Sequence, residues 1–342
     1  LKRYEMKNMK TVTIIAAVIL IIAAIGIGVG VSLGDDDTDG KIVLTDSNGE
    51  TVTLDSTCSR LVVYSKYIAE ALIMMGATDL VVGTTSTVLK DTNYSQYYQN
   101  ATDIGTSTTD GLDVVLTLNA DAIIVQNTTD NTALKATGIP VIELGASKMT
   151  EVVNDITSLG ILTGRTSEAK RIVDWYSEKL KIIDSFNGVS PKFALESYSS
   201  TKLTFMAPTS TPGVTLNEVK GKNIFEDSKT SYVYPEGSTL IELNPDIILV
   251  VTYNANWSEE KLAPYLNSVY ERSGWENISA IQNEKVYMVS NDIIGGIRSV
   301  IGGLFMISLM DPENYGDISV SELVDEYNQL GNTSFNNQMV YS

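Results

Sequence analysis

The chain has 342 residues, enough for two α/β cores, and its 24 Lys and Arg against 42 Asp and Glu leave a formal charge of -18, which excludes nucleic acid as a partner for its body. A single cysteine, Cys58, excludes an internal disulfide and any multi-cysteine metal cluster. There is no histidine, which removes the commonest catalytic base, the Ser-His-Asp type of triad and the imidazole sites favoured by zinc, copper and nickel.

Lys2, Arg3, Lys7 and Lys10 precede residues 11–33, a run of 23 residues without a charge and rich in Ile, Val and Ala. At about 1.5 Å per residue such a run spans a hydrocarbon core of roughly 30 Å, and the basic flank predicts that end inside and everything after Asp35 outside. An uncleaved membrane anchor is the reading taken over a cleaved signal, whose apolar core is shorter. Residues 1–34 are therefore assigned to the basic terminus and anchor, and the acidic stretch DDDTDG, residues 35–40, to a solvated linker.

A first lobe is expected over residues 41–148. KIVLTDSNGETVTLD reads as two strands around Asn48-Gly49, the dipeptide best suited to a two-residue hairpin turn. A buried strand is predicted over 60–65, a helix over 66–75 ended by Gly76, and a strand over 80–83. After a polar loop come a helix and strand in LDVVLTLNADAIIV, residues 112–125, and then a strand over 141–144. The alternation predicts a mostly parallel sheet with helices on both faces.

Connecting helices are expected over 149–188. Thr150 is taken as the cap of a helix running to about Leu162. TSEAKRIVDWYSEKLKIIDSF, residues 166–186, is a long amphipathic helix whose Ala169, Ile172, Val173, Tyr176, Leu180 and Ile183 share one face, with Thr166 as its expected cap. The second lobe, residues 189–330, opens with a strand at 193–196 and a helix near 216–219. STLIELNPDIILVV, residues 238–251, repeats the Leu-Asn-x-Asp pattern of the first lobe, consistent with duplication of one unit or with ordinary helix-to-strand punctuation. A strand follows at 285–289, then an apolar helix at 299–310 in which Gly302-Gly303 is expected to allow close packing. The polar tail, residues 331–342, is expected to fray.

Several stretches together resemble the substrate-binding proteins that serve ABC importers of iron-siderophores, cobalamin and haem. They are TDSNGETVTLDSTCSRLVV, AEALIMMGATDLVVG, LDVVLTLNADAIIV, GIPVIEL, LGILTGRTSEAKRIVDWY, TLNEVKGKNIFED, LIELNPDIILV, NEKVYMVSNDIIGGIRS and MDPENYGDI, in family order over about residues 42–330. The chain departs from the usual pattern at Ala120 and Ile297, where Pro is common, and at Lys220-Gly221-Lys222-Asn223, where the family carries Gly-Gly before the Asn. The resemblance implies two Rossmann-like α/β lobes joined by a single long helix, a ligand cleft between the lobes and little hinge movement. It also implies docking of a Glu from each lobe, seven residues before the motif Pro, on arginines of the permease. Counting back from Ala120 gives Asp113; counting back from Pro245 gives Ser238, so Glu236 is taken as the nearest replacement and Glu242 lies one turn on.

In open α/β sheets ligands sit beyond the carboxyl ends of the strands. This selects residues 64–66, 84–87 and 126–127 in the first lobe and 197–200, 253–257 and 295–298 in the second, with Tyr64, Lys66, Gln126, Tyr198, Tyr253 and Arg298 as the candidate binders. Arg298 stands at the amino end of the helix over 299–310, where its charge and the helix dipole favour an anion, and its removal is expected to weaken binding while leaving folding nearly unaffected. These loops hold no carboxylate cluster for a free metal ion, so the expected ligand is a chelate, with siderophore, haem, cobalamin and small oxyanion all compatible. No cofactor and no resident metal are expected, the partners are a small-molecule ligand, an ABC permease with its ATPase, and the membrane through the amino-terminal segment, and the chain is expected to be a monomer. A membrane-anchored sensor without an importer is the alternative; an enzyme is disfavoured by the missing histidine, GxSxG motif and phosphate loop. Asn-x-Ser/Thr sites begin at Asn93, Asn100, Asn127, Asn256, Asn277 and Asn332.

Overall fold

The computed structural model describes residues 41–127, 129–145, 148–199, 202–253 and 259–342. The expected membrane anchor, the acidic linker and Trp257 lie outside these residues. Among the described residues no helix is long and apolar enough to cross a membrane. The chain divides into two compact units. The first takes the described part of Leu1–Ala146 with Glu151–Tyr176 and Leu330–Thr333; the second takes Ser177–Gln329 with Ser334–Ser342 and the described part of Ser147–Thr150.

The first unit opens with an antiparallel hairpin, β1 (Ile42–Thr45) and β2 (Thr51–Leu54), in register Thr45 to Thr51. The expected two-residue turn at Asn48-Gly49 is instead a loop over residues 46–50. Such a turn needs positive φ at both central residues, and only Gly49 has it, at 81°. Asp46 organises the loop, its Oδ1 accepting from the N–H of Asn48 at 3.0 Å and of Glu50 at 2.9 Å. A five-stranded sheet follows in the order β5-β4-β3-β6-β7, built from β3 (Leu61–Val63), β4 (Val81–Thr84), β5 (Thr102–Asp103), β6 (Ala122–Gln126) and β7 (Val141–Leu144). Every pairing is parallel, with Val62 opposite Ile123 and Ile124 opposite Ile142. The continuous apolar runs are explained by burial: Leu61 to Val63 and Ala122 to Val125 are fully covered, as a parallel sheet with two occupied faces requires.

The helices of this unit begin with α1 (Lys66–Met74), α2 (Ser86–Lys90), α3 (Leu112–Thr117) and α4 (Thr132–Lys135). The expected cap at Thr150 is not made. α5 (Val152–Thr163) has Glu151 in the cap position, whose side chain does not cap the helix, while Thr150 donates from Oγ1 to Glu218 Oε1 at 2.8 Å in the second unit, to which Thr150 itself belongs. The long helix α6 (Thr166–Ser185), which belongs to this unit as far as Tyr176 and to the second from Ser177, starts at Thr166 rather than being capped by it, and buries Ala169, Ile172, Val173, Tyr176 and Ile183.

The second unit is built on β8 (Lys192–Ser197), β9 (Phe205–Met206), β10 (Lys222–Asn223), β11 (Tyr232–Val233), β12 (Ile247–Thr252), β13 (Val286–Ser290) and β14 (Val340–Tyr341). Its sheet runs β11-β9-β8-β12-β13-β14, with β10 also paired to β8. β8, β10, β12 and β13 are mutually parallel; β9 and β14 run antiparallel to them, and β11 pairs antiparallel with β9 at the margin. The helices are α7 (Thr211–Glu218), α8 (Gly237–Leu243), α9 (Glu259–Tyr270), α10 (Ser279–Gln282), α11 (Ser299–Met310), α12 (Pro312–Tyr315) and α13 (Val320–Gly331). α11 is buried on all sides except at Leu309, which is why its sequence lacks a polar face. A Cβ on Gly302 would lie 2.3 Å from the Ile293 carbonyl oxygen, so the expected close packing is present and no larger residue fits without movement.

The carboxyl tail does not fray. Phe335 and Met339 are buried, β14 pairs with β13, and Asn328 holds Phe335 twice, accepting from its N–H and donating to its carbonyl, each at 2.9 Å. The polar composition of residues 331–342 concealed two apolar anchors at a spacing of four.

The two units share one construction. Leu118-Asn119 ends α3 and Leu243-Asn244 ends α8, with both asparagines left-handed, at φ 48° and 44°. Asp121 accepts from the N–H of Arg60 at 2.9 Å and Asp246 from that of Lys192 at 2.8 Å, each ahead of or at the start of the neighbouring strand. Arg60 then donates to the Leu118 carbonyl at 2.7 Å, and Lys192 to the Leu243 carbonyl at 2.6 Å, so a cation closes the end of each helix. The Leu-Asn-x-Asp pattern is thus a repeated three-part clamp and more than punctuation.

Candidate ligand-binding edges of the two units

In the first unit the carboxyl ends of β3 and β6 lie side by side. The Tyr64 N–H donates to the Ile124 carbonyl at 3.0 Å, which brings Tyr64 beside the strand that ends in Gln126. The Tyr64 ring packs on a core of Val62, Ile104, Val115, Ile123, Val125, Leu134 and Val141, while its hydroxyl is buried and bonds to none of the described residues. Burial, and secondarily the Asp110 carboxylate, push this phenol up to about 12. Gln126 is half-buried, and its backbone carbonyl accepts from the Thr129 N–H at 3.0 Å. Lys66 does not stand open to a ligand: its ammonium is 2.8 Å from Asp91 and 4.8 Å from the centroid of the Tyr94 ring. Ser86, beyond β4, donates to Asp103 at 2.6 Å, and this bond and that from the Gly105 N–H hold the Asp103 carboxyl below its ordinary range.

In the second unit β8 and β12 end together. The Tyr198 N–H donates to the Val251 carbonyl at 2.9 Å, so Tyr198 and Tyr253 close adjacent strands. Tyr253 is 56% exposed; Tyr198 is half-buried, with its ring centroid 4.6 Å from that of Tyr265. Beneath them is a group that sequence reasoning missed. Glu196 has no exposed surface, receives two hydrogen bonds from Arg272 at 2.7 and 2.6 Å, and receives a third from the Tyr265 hydroxyl at 2.6 Å. Desolvation, then the Glu196 charge, raise the Tyr265 phenol well above its ordinary value. The only signal in the sequence was a carboxylate inside the apolar run FALES; the partners lie 69 and 76 residues away.

Arg298 occupies the expected cap position of α11 but is 1% exposed. Its guanidinium carbon lies 4.8 Å from the Phe335 ring centroid and 5.9 Å from that of Tyr327. It is a packing residue of the second unit, which corrects the expectation that its removal leaves folding nearly unaffected.

The docking candidates are at the surface. Asp113 is exposed in the first turn of α3, with Leu116 54% exposed one turn later. Glu236 is exposed at the cap position of α8, near Tyr234 and Ile241, which are 56% and 42% exposed. The acidic group Asp46, Glu50 and Glu143 has metal-ligand spacing, but Lys135 places its ammonium 2.7 Å from Glu50 and 3.0 Å from Glu143 and supplies the countercharge itself.

Residues 61–292 match the family described as periplasmic binding protein. Two curated relatives, cobalamin-binding proteins from two strains of Halobacterium salinarum, are each 24% identical over 217 residues, covering 60% of this chain. The match spans 57% of the length of those relatives. Among solved structures, the TroA-like periplasmic binding protein FepB from Veillonella parvula superposes with a TM-score of 0.72 at 20% identity, covering 84% of this chain and 95% of that one. The periplasmic vitamin B12 binding protein BtuF of Vibrio cholerae superposes with a TM-score of 0.60 at 16% identity, covering 75% and 97%. A molybdate periplasmic binding protein, MolA of Haemophilus influenzae, gives 0.67 at 17% identity, covering 86% and 99%. With two α/β units of one construction and a family match over most of its length, the chain belongs to the periplasmic binding protein family.

Proposed function

We propose that the protein captures a metal chelate of the siderophore, haem or cobalamin class outside the cytoplasmic membrane and presents it to the permease of an ABC importer. The observation that carries this reading is the placement of Tyr64, Tyr198 and Tyr253 at the carboxyl ends of the central strands of both sheets, where open α/β folds hold ligands. Flat aromatic faces with a hydroxyl suit a large, oxygen-bearing chelate better than a bare ion. The names of the similar proteins, cobalamin-binding and vitamin B12 binding among them, support the same class. Gln126 serves as a polar contact beside Tyr64; Lys66 and Arg298 leave the binding set because of the ion pair and the burial described above. Asp113 and Glu236 dock on the permease, with Leu116, Tyr234 and Ile241 as apolar neighbours, and residues 11–33 anchor the chain in the membrane.

The test reconstitutes the full chain with its permease and ATPase. Asp113→Lys together with Glu236→Lys leaves ligand affinity intact and abolishes stimulation of the ATPase, because like charges then face each other at the dock. An unchanged ATPase response removes the docking assignment. Recovery of a mature chain starting near Asp35 from the medium, with none in the membrane fraction, removes the anchor.

A further inference from the structure

α1 starts at the carboxyl end of β3 with Ser65 in the cap position, at φ -120° and ψ 129°. A serine there ordinarily turns its hydroxyl onto the N–H groups of the first turn, whose leading donors have no partner within the helix. This one does not: no side chain caps the helix. Ser65 is 4% exposed, and its Oγ, like the Oη of Tyr64 beside it, is buried without a hydrogen-bond partner among the described residues. A buried hydroxyl left unsatisfied is unfavourable, and native structures keep few of them except where a ligand or water completes the set. Here two adjacent ones stand at the start of a helix of 9 residues.

The chemistry of the set selects its complement. Both hydroxyls can donate, and the positive end of the helix dipole favours an acceptor with negative charge over a donor or a cation. The Tyr64 phenol, raised by burial, stays protonated through the physiological range and so remains a donor. The charged neighbours are accounted for: Lys66 is paired with Asp91, and Asp110 accepts from the Thr106 and Ser107 N–H groups, both at 3.1 Å. We propose that the start of α1 is an oxyanion subsite, in which Tyr64 Oη and Ser65 Oγ donate to a carboxylate or phosphate carried by the ligand. The proposal rests on the reading of the protein as a chelate receptor and adds what the chelate must carry.

The experiment measures binding of matched probes to the full chain in detergent by titration calorimetry. Three pairs differ in anionic oxygen: cyanocobalamin against dicyanocobinamide, which lacks the phosphate; haemin against its dimethyl ester, which lacks the carboxylates; and ferric citrate against the uncharged chelate ferrichrome. In at least one pair the anionic member binds about tenfold tighter, the scale of one charge-assisted hydrogen bond, and the pair concerned separates phosphate from carboxylate. Ser65→Ala erases that preference without weakening the uncharged member and does not lower the melting temperature, since it deletes an orphan group; Tyr64→Phe erases the preference as well. Equal affinity within every pair, or a preference that survives both substitutions, overturns the subsite and leaves the receptor reading standing. A lowered melting temperature in Ser65→Ala with the preference unchanged shows a hydroxyl satisfied by bound water and overturns it as well. No binding of any of the six overturns the chelate class and the subsite together.

Discussion

Replacing Arg272 by Met tests the buried charge pair that supports the tyrosine edge of the second unit. The Glu196 side chain has no exposed surface and that of Arg272 retains 22%, with two hydrogen bonds of 2.7 and 2.6 Å between them. Removing the guanidinium strands a carboxylate in a core that includes Ala194, Phe205 and Val250, with only the Tyr265 hydroxyl left as a donor among the bonds described. Breaking a buried pair in this way costs about 3–5 kcal/mol, and at about 2–4 °C per kcal/mol for a unit of this size the melting temperature falls by about 6–20 °C. Trp275 reports the event directly, being 2% exposed with its ring centroid 4.6 Å from the Arg272 guanidinium carbon. Its fluorescence is isolated by Trp175→Phe and Trp257→Phe. Combining Arg272→Met with Glu196→Gln removes the charge as well as its partner, so the double variant melts above Arg272→Met alone. A loss below about 1 kcal/mol in the single variant, the scale of an exposed pair, refutes the burial argument.

Cys58, 4% exposed and with its thiol pushed up to about 11 by burial and then by Asp121, is inert to a disulfide reagent at pH 8 in the native protein and reacts fully in denaturant. Tyr64 holds its proton more tightly folded than unfolded, so its contribution to stability is present below about pH 10 and lost as pH rises toward about 12. Chemical denaturation across that window shows Tyr64→Phe losing less stability than the parent. Phe335→Ala and Arg298→Ala each empty a buried volume in the second unit and cost about 2–5 kcal/mol by the same Trp275 signal. A cost near zero for Phe335→Ala restores the frayed tail.

Periodicity made the long helix, the parallel strands and the helix over 299–310 legible, because each is written in consecutive apolar residues whose burial is local in sequence. The misses were of other kinds. Asn48-Gly49 satisfies the composition of a tight turn, but the Asp46 carboxylate captures two N–H groups and opens the loop. Thr150 lies one position too early to cap α5 and is taken by Glu218. Strand ends could be located from the sequence, and Tyr64, Tyr198 and Tyr253 do stand at them. The state of a charged side chain could not: Lys66 reaches Asp91 and Arg298 reaches Phe335 only after the chain has folded back on itself. Ser65 falls inside the selected loop 64–66 but is not among the candidate binders, because only the missing cap bond, which the sequence does not show, singles it out.

The clamp shared by Arg60, Leu118 and Asp121 in one unit and by Lys192, Leu243 and Asp246 in the other sits at the amino ends of the strands, the margin opposite the tyrosines. Its location divides each unit into a conservative margin and a permissive one. Exposed positions at the tyrosine end can change side chains without loosening the joint that orders helix against strand, so on the proposed reading new ligand preferences can arise there at little cost in folding. A library meant to test this should therefore randomise Thr87, Lys90, Thr129, Asp130 and Lys202, which are exposed, and keep those six clamp residues fixed. A library built the other way round would exhaust itself in chains that no longer fold.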